Sequence, residues 1–331
     1  MIGFERHDVE RKEITILRIL NESAEPLGAR VIAHRMRGYG IDLGERAVRY
    51  HLKIMDERGL TRLIGWDGRL ITDSGVEELK SALVGDKVGF VIGNIELLAV
   101  KTTFDWRKKR GHVPVNVSLF PKDQFKRAKE MMSRAFEGSL CASDLVAVAN
   151  EGERLSGLTV PEGMVGFATV CSVVINGTLL KAGIPMDSKF GGILQIKNRK
   201  PMRFVELIQY AGSSLDPSEI FITSKMTSVM DVVSTGEGKI LANFREIPSM
   251  CSPVVVEVFA GLKDAGIGGV LVVGNISQPV CEIPVELNKM GIVLIGGLNP
   301  VAAAVEAGIP VENTAMSGVI EYQDLISFKK I

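Results

Sequence analysis

The sequence predicts a small N-terminal winged helix-turn-helix domain followed by a larger sensor-sized domain of mixed α/β (α+β) class. Three observations predict this. The N-terminal stretch carries three amphipathic helical patterns, then two short apolar runs around a Gly-bounded turn. Beyond about Val84 the pattern changes to short β-branched runs, broken by Gly and Pro and alternating with helical stretches. At 331 residues and 46% hydrophobic content, the chain is long and apolar enough to build both.

In chain order, Glu10 to Asn21 reads as a helix with Val9, Ile16, Leu17 and Leu20 on a common side. After a break at Ala24-Glu25-Pro26, Leu27 to Arg37 reads as a second helix carrying Val31, Ile32 and Met36. The third runs from Gly44 to Arg58. Val48, Leu52 and Met55 fall on one stripe at the spacing of a buried face, and Arg46, Arg49, Tyr50 and Lys53 fall on the opposite arc. Gly44 or Asp42 suits the N-cap, Glu45 suits the positive end of the helix dipole, and Gly59 ends the helix. Leu60–Ile64 and Arg69–Thr72 flank Gly65-Trp66-Asp67-Gly68 as a hairpin, and Thr72 to Leu79 starts a short helix. In such an order the third helix enters the DNA major groove and the hairpin tip touches the backbone or minor groove. The candidate DNA contacts are therefore Arg46, Arg49, Tyr50, Lys53, Trp66 and Arg69. From Pro26 to Ile71 nine Lys/Arg face five Asp/Glu, although the whole chain is neutral with 39 of each. That local excess sits where phosphate contacts are made. A solvated basic face on an ordinary amphipathic helix explains the third helix taken alone; its place before a hairpin is what points to nucleic acid.

The domain boundary falls between residues 83 and 84. Strand candidates after it are Lys87–Ile92, Val113–Leu119, Val165–Val174, Gly192–Ile196, Glu219–Ile222, Gly238–Glu246, Val270–Val273, Ile292–Ile295 and Gly318–Tyr322. Helix candidates are Lys122–Phe136, Met202–Ala211, Val254–Ala265, Pro284–Met290 and Pro300–Ala307. Val91-Ile92-Gly93-Asn94-Ile95 recurs as Val272-Val273-Gly274-Asn275-Ile276, and Ala182-Gly183-Ile184-Pro185 recurs as Ala307-Gly308-Ile309-Pro310. Two short matches are compatible with chance or with an internal duplication; a duplication favours a ligand between the halves.

No catalytic constellation emerges. Three of the four histidines lie in the winged-helix segment, and neither a P-loop nor a dinucleotide-binding glycine pattern is present. Cys141, Cys171, Cys251 and Cys281 are widely spaced, which argues against a metal cluster or disulfide framework and for a reducing cytoplasm. The polar N-terminus and the Gly-interrupted apolar runs suit a soluble protein without a membrane span. Three stretches suit a small anion. They are Thr169-Val170-Cys171-Ser172 leading to Asn176-Gly177-Thr178 and Lys181, then Thr223-Ser224-Lys225-Met226-Thr227-Ser228, and Asn243-Phe244-Arg245. A dicarboxylate needs one or two cations with several neutral donors. Each stretch alone also reads as loop capping, and Cys171 as a small buried hydrophobe. The effector-binding candidates are thus Cys171, Ser172, Asn176, Thr178, Lys225, Thr227 and Arg245. Gly296-Gly297-Leu298-Asn299-Pro300 reads first as a tight strand-to-helix turn, with anion binding at the helix start as the alternative. Trp106-Arg107-Lys108-Lys109-Arg110 is the sharpest charge run, a solvated helix end or an extra phosphate contact.

Glu45-Arg46-Ala47-Val48-Arg49-Tyr50-His51-Leu52 and the exit Glu57-Arg58-Gly59-Leu60 resemble winged-helix DNA-binding domains of prokaryotic repressors. From Val84 onward the chain resembles the nitrogen-regulatory repressor family of methanogenic archaea, NrpR. The resemblance rests on Gly166-Phe167-Ala168-Thr169-Val170-Cys171-Ser172-Val173-Val174-Ile175-Asn176-Gly177, on Ala182-Gly183-Ile184-Pro185, and on the Gly-rich strands near Val270 and Ile292. It implies a 2-oxoglutarate-sensing domain and a homodimer on operator DNA of nitrogen-assimilation genes, released by the effector, with no other cofactor and no metal. Some members of that family carry two sensor domains; this chain has room for one, which leaves open a second sensor-domain protein as partner. The competing reading is an enzyme or RNA-processing factor that uses the winged helix as a nucleic-acid tether.

Overall fold

The computed structural model describes residues 2–23, 25–81 and 88–331. Contacts divide the chain into two compact units, Met1–Lys87 and Val88–Ile331. The boundary expected at residues 83 and 84 lies outside the described residues, as do Ala24 of the expected break and Lys87.

The first unit runs α1 (Ile2–Asn21), α2 (Ala29–Met36), α3 (Glu45–Glu57), β1 (Thr61–Ile64), β2 (Gly68–Ile71) and α4 (Asp73–Ser81). Ile16, Leu17, Leu20, Ile32, Met36, Val48, Leu52 and Met55 form its core. Each such side chain contributes about 1.5–3 kcal/mol by leaving water. Val9 and Val31, expected on that side, are exposed. On α2 the buried face is Ala29, Ile32, Ala33 and Met36, a complete i, i+3, i+4, i+7 set that leaves Val31 outside it. On α1, Val9 lies one turn before Glu13, where the buried face begins among the described side chains. Gly59 ends α3 at φ 72°, and the Leu60 N–H bonds the Met55 carbonyl at 2.9 Å. Gly68 starts β2 so close to α2 that a Cβ there would lie 2.3 Å from the Leu27 carbonyl carbon. The wing therefore docks on the body through the Leu27–Arg69 bridge.

In the second unit the elements are α5 (Phe90–Lys101), β3 (His112–Pro121), α6 (Phe125–Glu137), β4 (Leu145–Asn150), a small hairpin of β5 (Arg154–Leu155) and β6 (Leu158–Thr159), β7 (Met164–Val170), α7 (Val173–Lys181), β8 (Asp187–Lys197), β9 (Lys200–Gln209), α8 (Pro217–Thr223), α9 (Val229–Thr235), β10 (Gly238–Pro248), α10 (Ser252–Asp264), β11 (Val270–Ile276), β12 (Lys289–Ile295), α11 (Asn299–Glu306), β13 (Glu312–Glu321) and β14 (Ile326–Ser327). They build two five-stranded sheets, ordered β13-β3-β7-β4-β14 and β11-β12-β10-β8-β9. One order of elements occurs twice: β3-α6-β4-β7-α7-β8, then β10-α10-β11-β12-α11-β13. The last strand of each set crosses over, so β8 pairs with β10 and β13 pairs with β3. Equivalent positions follow from the registers. Asn116 faces Thr169 as Asn243 faces Leu294, and Ser118 faces Phe167 as Arg245 faces Ile292.

Several elements differ from the sequence expectation. Lys87–Ile92 was expected as a strand, but the described part opens helix α5, because the apolar run continues into Glu96-Leu97-Leu98-Ala99, strong helix formers. The five-residue pattern shared by 91–95 and 272–276 is therefore helix in one place and strand in the other. Glu219–Ile222 lies in α8, where the Asp216 side chain accepts from the Ser218 N–H at 2.8 Å and Pro217 occupies the first turn. Met202–Ala211, expected helical, is mostly β9; Asn198 and Arg199 adopt φ 52° and 61° and close a two-residue hairpin that fixes the strand. Pro284–Met290 is not a helix, and β12 begins at Lys289. Val165–Val174 divides into β7 and the start of α7. Among the described residues no helix is long and apolar enough to cross a membrane.

Candidate nucleic-acid interface and effector pocket

α3 separates its two faces as its spacing requires. Val48, Leu52 and Met55 are fully buried, whereas Arg46, Arg49, Tyr50 and Lys53 are exposed. Arg49 pairs with Glu45, and Lys53 lies 4.0 Å from Glu57, both one turn away on the same helix. Such exposed pairs are worth a few tenths of a kcal/mol and yield readily to a phosphate. Trp66 stands fully in solvent at the wing tip. Arg69 lies apart from this set. It is mostly buried, its Nε donates to Asp56 Oδ2 at 2.8 Å, and its backbone holds the wing to Leu27. Arg62 on β1 is exposed and joins the basic side chains of the wing. Sequence periodicity does not single it out, since its neighbour Leu63 is exposed as well.

The second site lies where the two halves of the larger unit meet. A cavity is lined by the start of α7 (Cys171, Ser172, Val173), the start of α11 (Gly296, Gly297, Leu298), the equivalent asparagines Asn116 and Asn243, and Arg245. It is narrow, with a volume of about 20 Å³. That holds about one water. Arg245 is 1% exposed. Its Nη1 donates to Ser188 Oγ and its Nη2 to Ser172 Oγ at 3.3 Å, while Nε has no partner. No carboxylate among the described residues lies within ion-pair distance of it. Burial holds its guanidinium below its ordinary pKa. Burial likewise raises buried Asp216, Tyr210 and Cys171, the thiol to about 11. Tyr210 donates to Asn243 Oδ1, and Asn243 Nδ2 donates to Ser172 Oγ at 3.3 Å. Among the described residues, the N–H groups of Ser172, Gly297 and Leu298 find no backbone acceptor. Two helix starts thus meet a buried cation that makes no ion pair among the described residues, although the buried Asp216 carboxyl lines the same cavity and feels its charge; the helix starts and the cation favour a small anion.

Of the effector candidates, Cys171, Ser172 and Arg245 line this cavity. Asn176 stands one step behind, donating to Ser188 Oγ at 3.0 Å, and so braces the hydroxyl that holds Arg245. It and Ser188 also line a neighbouring groove of about 340 Å³ under α5, and Ile95 of α5 borders both spaces. The other three are held elsewhere. Thr178 bonds the Val174 carbonyl within α7, Thr227 donates to Glu306 at 2.7 Å, and Lys225 is an exposed residue at φ 53° after α8. Asn116, Tyr210 and Asp216 were not singled out from sequence. Asn116 was accessible through its equivalence with Asn243 in the pattern Asn-x-x-x-x-Pro of β3 and β10. The Trp106–Arg110 run forms a tight turn pinned at Arg107 to Glu257 and at Lys109 to the Asp264 carbonyl. The carboxylates of Asp187, Glu246 and Glu286 gather within 4.8 Å, and Lys189 and Lys289 bridge all three.

Residues 88–327 match the model of NrpR regulatory domains NRD1 and 2, and residues 14–79 match the ribonuclease R winged-helix domain. The chain is 44% identical over 317 residues to the global nitrogen regulator NrpRI of Methanosarcina mazei, covering 96% of this chain and 98% of that protein. It is 34% and 33% identical to the global nitrogen regulators NrpR of Methanococcus maripaludis and Methanocaldococcus jannaschii, over 96% and 98% of this chain. It spans only 55% and 56% of their length. A solved nitrogen repressor-like protein from Methanococcus jannaschii aligns with a TM-score of 0.61 and 29% identity, over 72% of this chain and 98% of that one. These relatives are named as regulators rather than enzymes.

Proposed function

The chain belongs to the NrpR family, and from that premise we propose that it is a transcriptional repressor of nitrogen-assimilation genes whose hold on operator DNA is released by 2-oxoglutarate. The exposed arc of Arg46, Arg49, Tyr50 and Lys53 on α3 reads the major groove, and Trp66 and Arg62 touch the backbone beside it. The protein acts as a homodimer, since one winged helix reads a short half-site and a two-fold pair doubles the contacts on a palindrome.

The observation that carries the effector half of this reading is Arg245, a buried cation whose Nε has no partner and which makes no ion pair among the described residues. A buried charge left in that state is costly unless something pairs with it. One carboxylate of 2-oxoglutarate takes Nε of Arg245 and the Ser172 N–H, and the other takes the N–H groups at Gly297 and Leu298. The cavity must widen to admit it, and α5, which forms part of its wall, is the first helix after the winged-helix unit in the chain. The ligand therefore favours the widened state, and DNA the other; the coupling is reciprocal. A coupling of roughly 1–3 kcal/mol weakens operator binding about 5–150-fold at saturation.

The test is fluorescence anisotropy of the full chain on its own upstream DNA, titrated with 2-oxoglutarate and with succinate as a control, beside calorimetry of the ligand alone. Operator affinity falls with 2-oxoglutarate if the reading is right. Unchanged affinity with any 2-oxo acid removes the effector half, and absence of salt-sensitive DNA binding removes the repressor.

A further inference from the structure

The two sheets have equivalent strands at equivalent edges, but one edge is covered and its counterpart is bare. β4 and β11 correspond, since Val146 faces Thr169 of β7 as Val270 faces Leu294 of β12. The outer side of β4 is capped by β14, which pairs Ile326 with Val146 and Ser327 with Leu145. Among the described residues β11 pairs with β12 alone. An open edge is a template for another strand, and soluble proteins guard such edges with charge, proline or brevity. The other edges are guarded. β9 carries Lys200, Pro201, Arg203 and Glu206, β13 carries Glu312 and Glu321 with a break in register, and β14 is two residues long. β11 is Val270-Leu271-Val272-Val273-Gly274-Asn275-Ile276, with neither a charge nor a proline; like β13 it shifts register against its neighbour, twice, so what sets it apart is the lack of charge.

The edge also presents an apolar row. Val270, Val273 and Ile276 lie opposite Leu294, Ile292 and Met290, alternate residues of β12, so all three share one face. Val273 and Ile276 are 42% and 56% exposed. At the start of the row a groove of about 290 Å³ opens, lined by Ile175, Phe259, Leu262, Ile267 and Val270. We infer that β11 is the self-association edge of this chain, pairing antiparallel with β11 of a second copy about a two-fold axis at Val273. Three features select a second copy as occupant. The counterpart edge is already capped by an antiparallel strand, and the bare strand is neutral, so it meets itself without repulsion. Pairing about Val273 also sets Ile276 of each copy against Val270 of the other, beside that copy's groove. The isologous contact then repeats the same fit twice.

The inference rests on the homodimer reading and names its surface. Sedimentation velocity of the full chain compares wild type with Val273→Lys and Ile276→Lys, and with Leu207→Lys on the guarded edge β9 as control. The expected result is a dimer for wild type and L207K, and at least a hundredfold weaker self-association for both β11 variants, with thermal unfolding and far-UV spectra showing them folded. Val273→Cys gives a second, independent readout. Opposed residues of an antiparallel pair sit about 4.5–5.5 Å apart at Cα, within disulfide reach, so oxidation yields a covalent dimer that thiol reagents reverse. A wild-type monomer overturns both the dimer and this edge, whether or not the strand of another protein occupies β11. Dimers persisting in folded V273K and I276K, with no V273C crosslink, overturn the edge alone.

Discussion

Replacing Arg245 by Met separates a ligand-holding cation from a structural one, because the two roles predict opposite signs of stability change. Arg245 is 1% exposed, donates only to two hydroxyls, and leaves Nε unpaired. Met is of similar length and carries no charge to desolvate. Exchanging an imperfectly paired buried ion for an apolar side chain is typically neutral or stabilising by about 1–4 kcal/mol. The hydroxyls it leaves stay satisfied, since Ser188 still receives Asn176 and Ser172 still receives Asn243. For a unit the size of Val88–Ile331, each kcal/mol moves Tm by about 2–4 °C, so R245M melts unchanged or up to several degrees higher without ligand. The ligand loses a hydrogen bond to a charged group, about 1.5–3 kcal/mol, or about 10–150-fold in Kd at 1.4 kcal/mol per decade. Differential scanning calorimetry with and without 2-oxoglutarate, beside titration calorimetry, reads both. A Tm several degrees lower with effector affinity intact would show Arg245 to be a strut and refute the reasoning.

On the DNA side, Arg46→Ala with Arg49→Ala is expected to cost about 1–3 kcal/mol per base-reading Arg on the operator while unfolding like wild type; Trp66→Ala likewise spares stability. Arg69→Ala does the reverse, losing about 1–2 kcal/mol of fold stability with its bond to Asp56, as urea unfolding beside anisotropy will distinguish. For pH, hydrogen bonds and ion pairing with Lys189 and Lys289 hold the exposed Glu286 carboxyl down at about 2. A depressed carboxyl contributes stability above its unfolded pKa that is lost as pH falls through the folded one, so the gap between wild type and Glu286→Gln, present at pH 7, closes between about pH 4.5 and 2. Gly177→Ala tests α5: a Cβ there would lie 2.3 Å from Thr102 Cβ and 2.7 Å from the Ala99 carbonyl. Wedging the end of α5 outward costs about 1–3 kcal/mol of stability and shifts 2-oxoglutarate affinity without touching a contact residue; unchanged affinity in the folded variant would remove α5 from the cavity's opening.

The winged-helix unit was legible because its information is local. One helical period sorts Val48, Leu52 and Met55 from Arg46, Arg49 and Lys53, and one glycine ends the helix at Arg58. Arg69 escaped that logic. Its position in the wing is set by sequence, but its direction is set by Asp56, thirteen residues back in space-filling contact that no periodicity records. In the second unit the apolar runs marked most strands and left helix and strand confused where caps decide. Asp216-Pro217 makes a helix of a β-branched run, and the Asn198-Arg199 turn makes a strand of a helical pattern. In the pocket, Cys171, Ser172 and Arg245 were legible as donor chemistry beside apolar strands. Lys225 had the same composition around it, yet α8 ends there in solvent, and nothing local distinguishes the two cations.

What distinguishes them is the crossing of strands. Because β8 joins β10 and β13 joins β3, the starts of α7 and α11 are brought to one place, and the residues beside them come in equivalent pairs: Asn116 with Asn243, and Gly297 with Ser172. The cavity is therefore nearly symmetric in its backbone donors. It is asymmetric in charge, since Arg245 bonded to Ser188 on one side corresponds to Ser118 bonded to Asn313 on the other. Two helix starts suit a ligand with two acidic ends, and a single arginine gives those ends different affinities and so a fixed orientation. Under the effector reading proposed above, a strictly symmetric site would leave a 2-oxo acid free to bind in either sense.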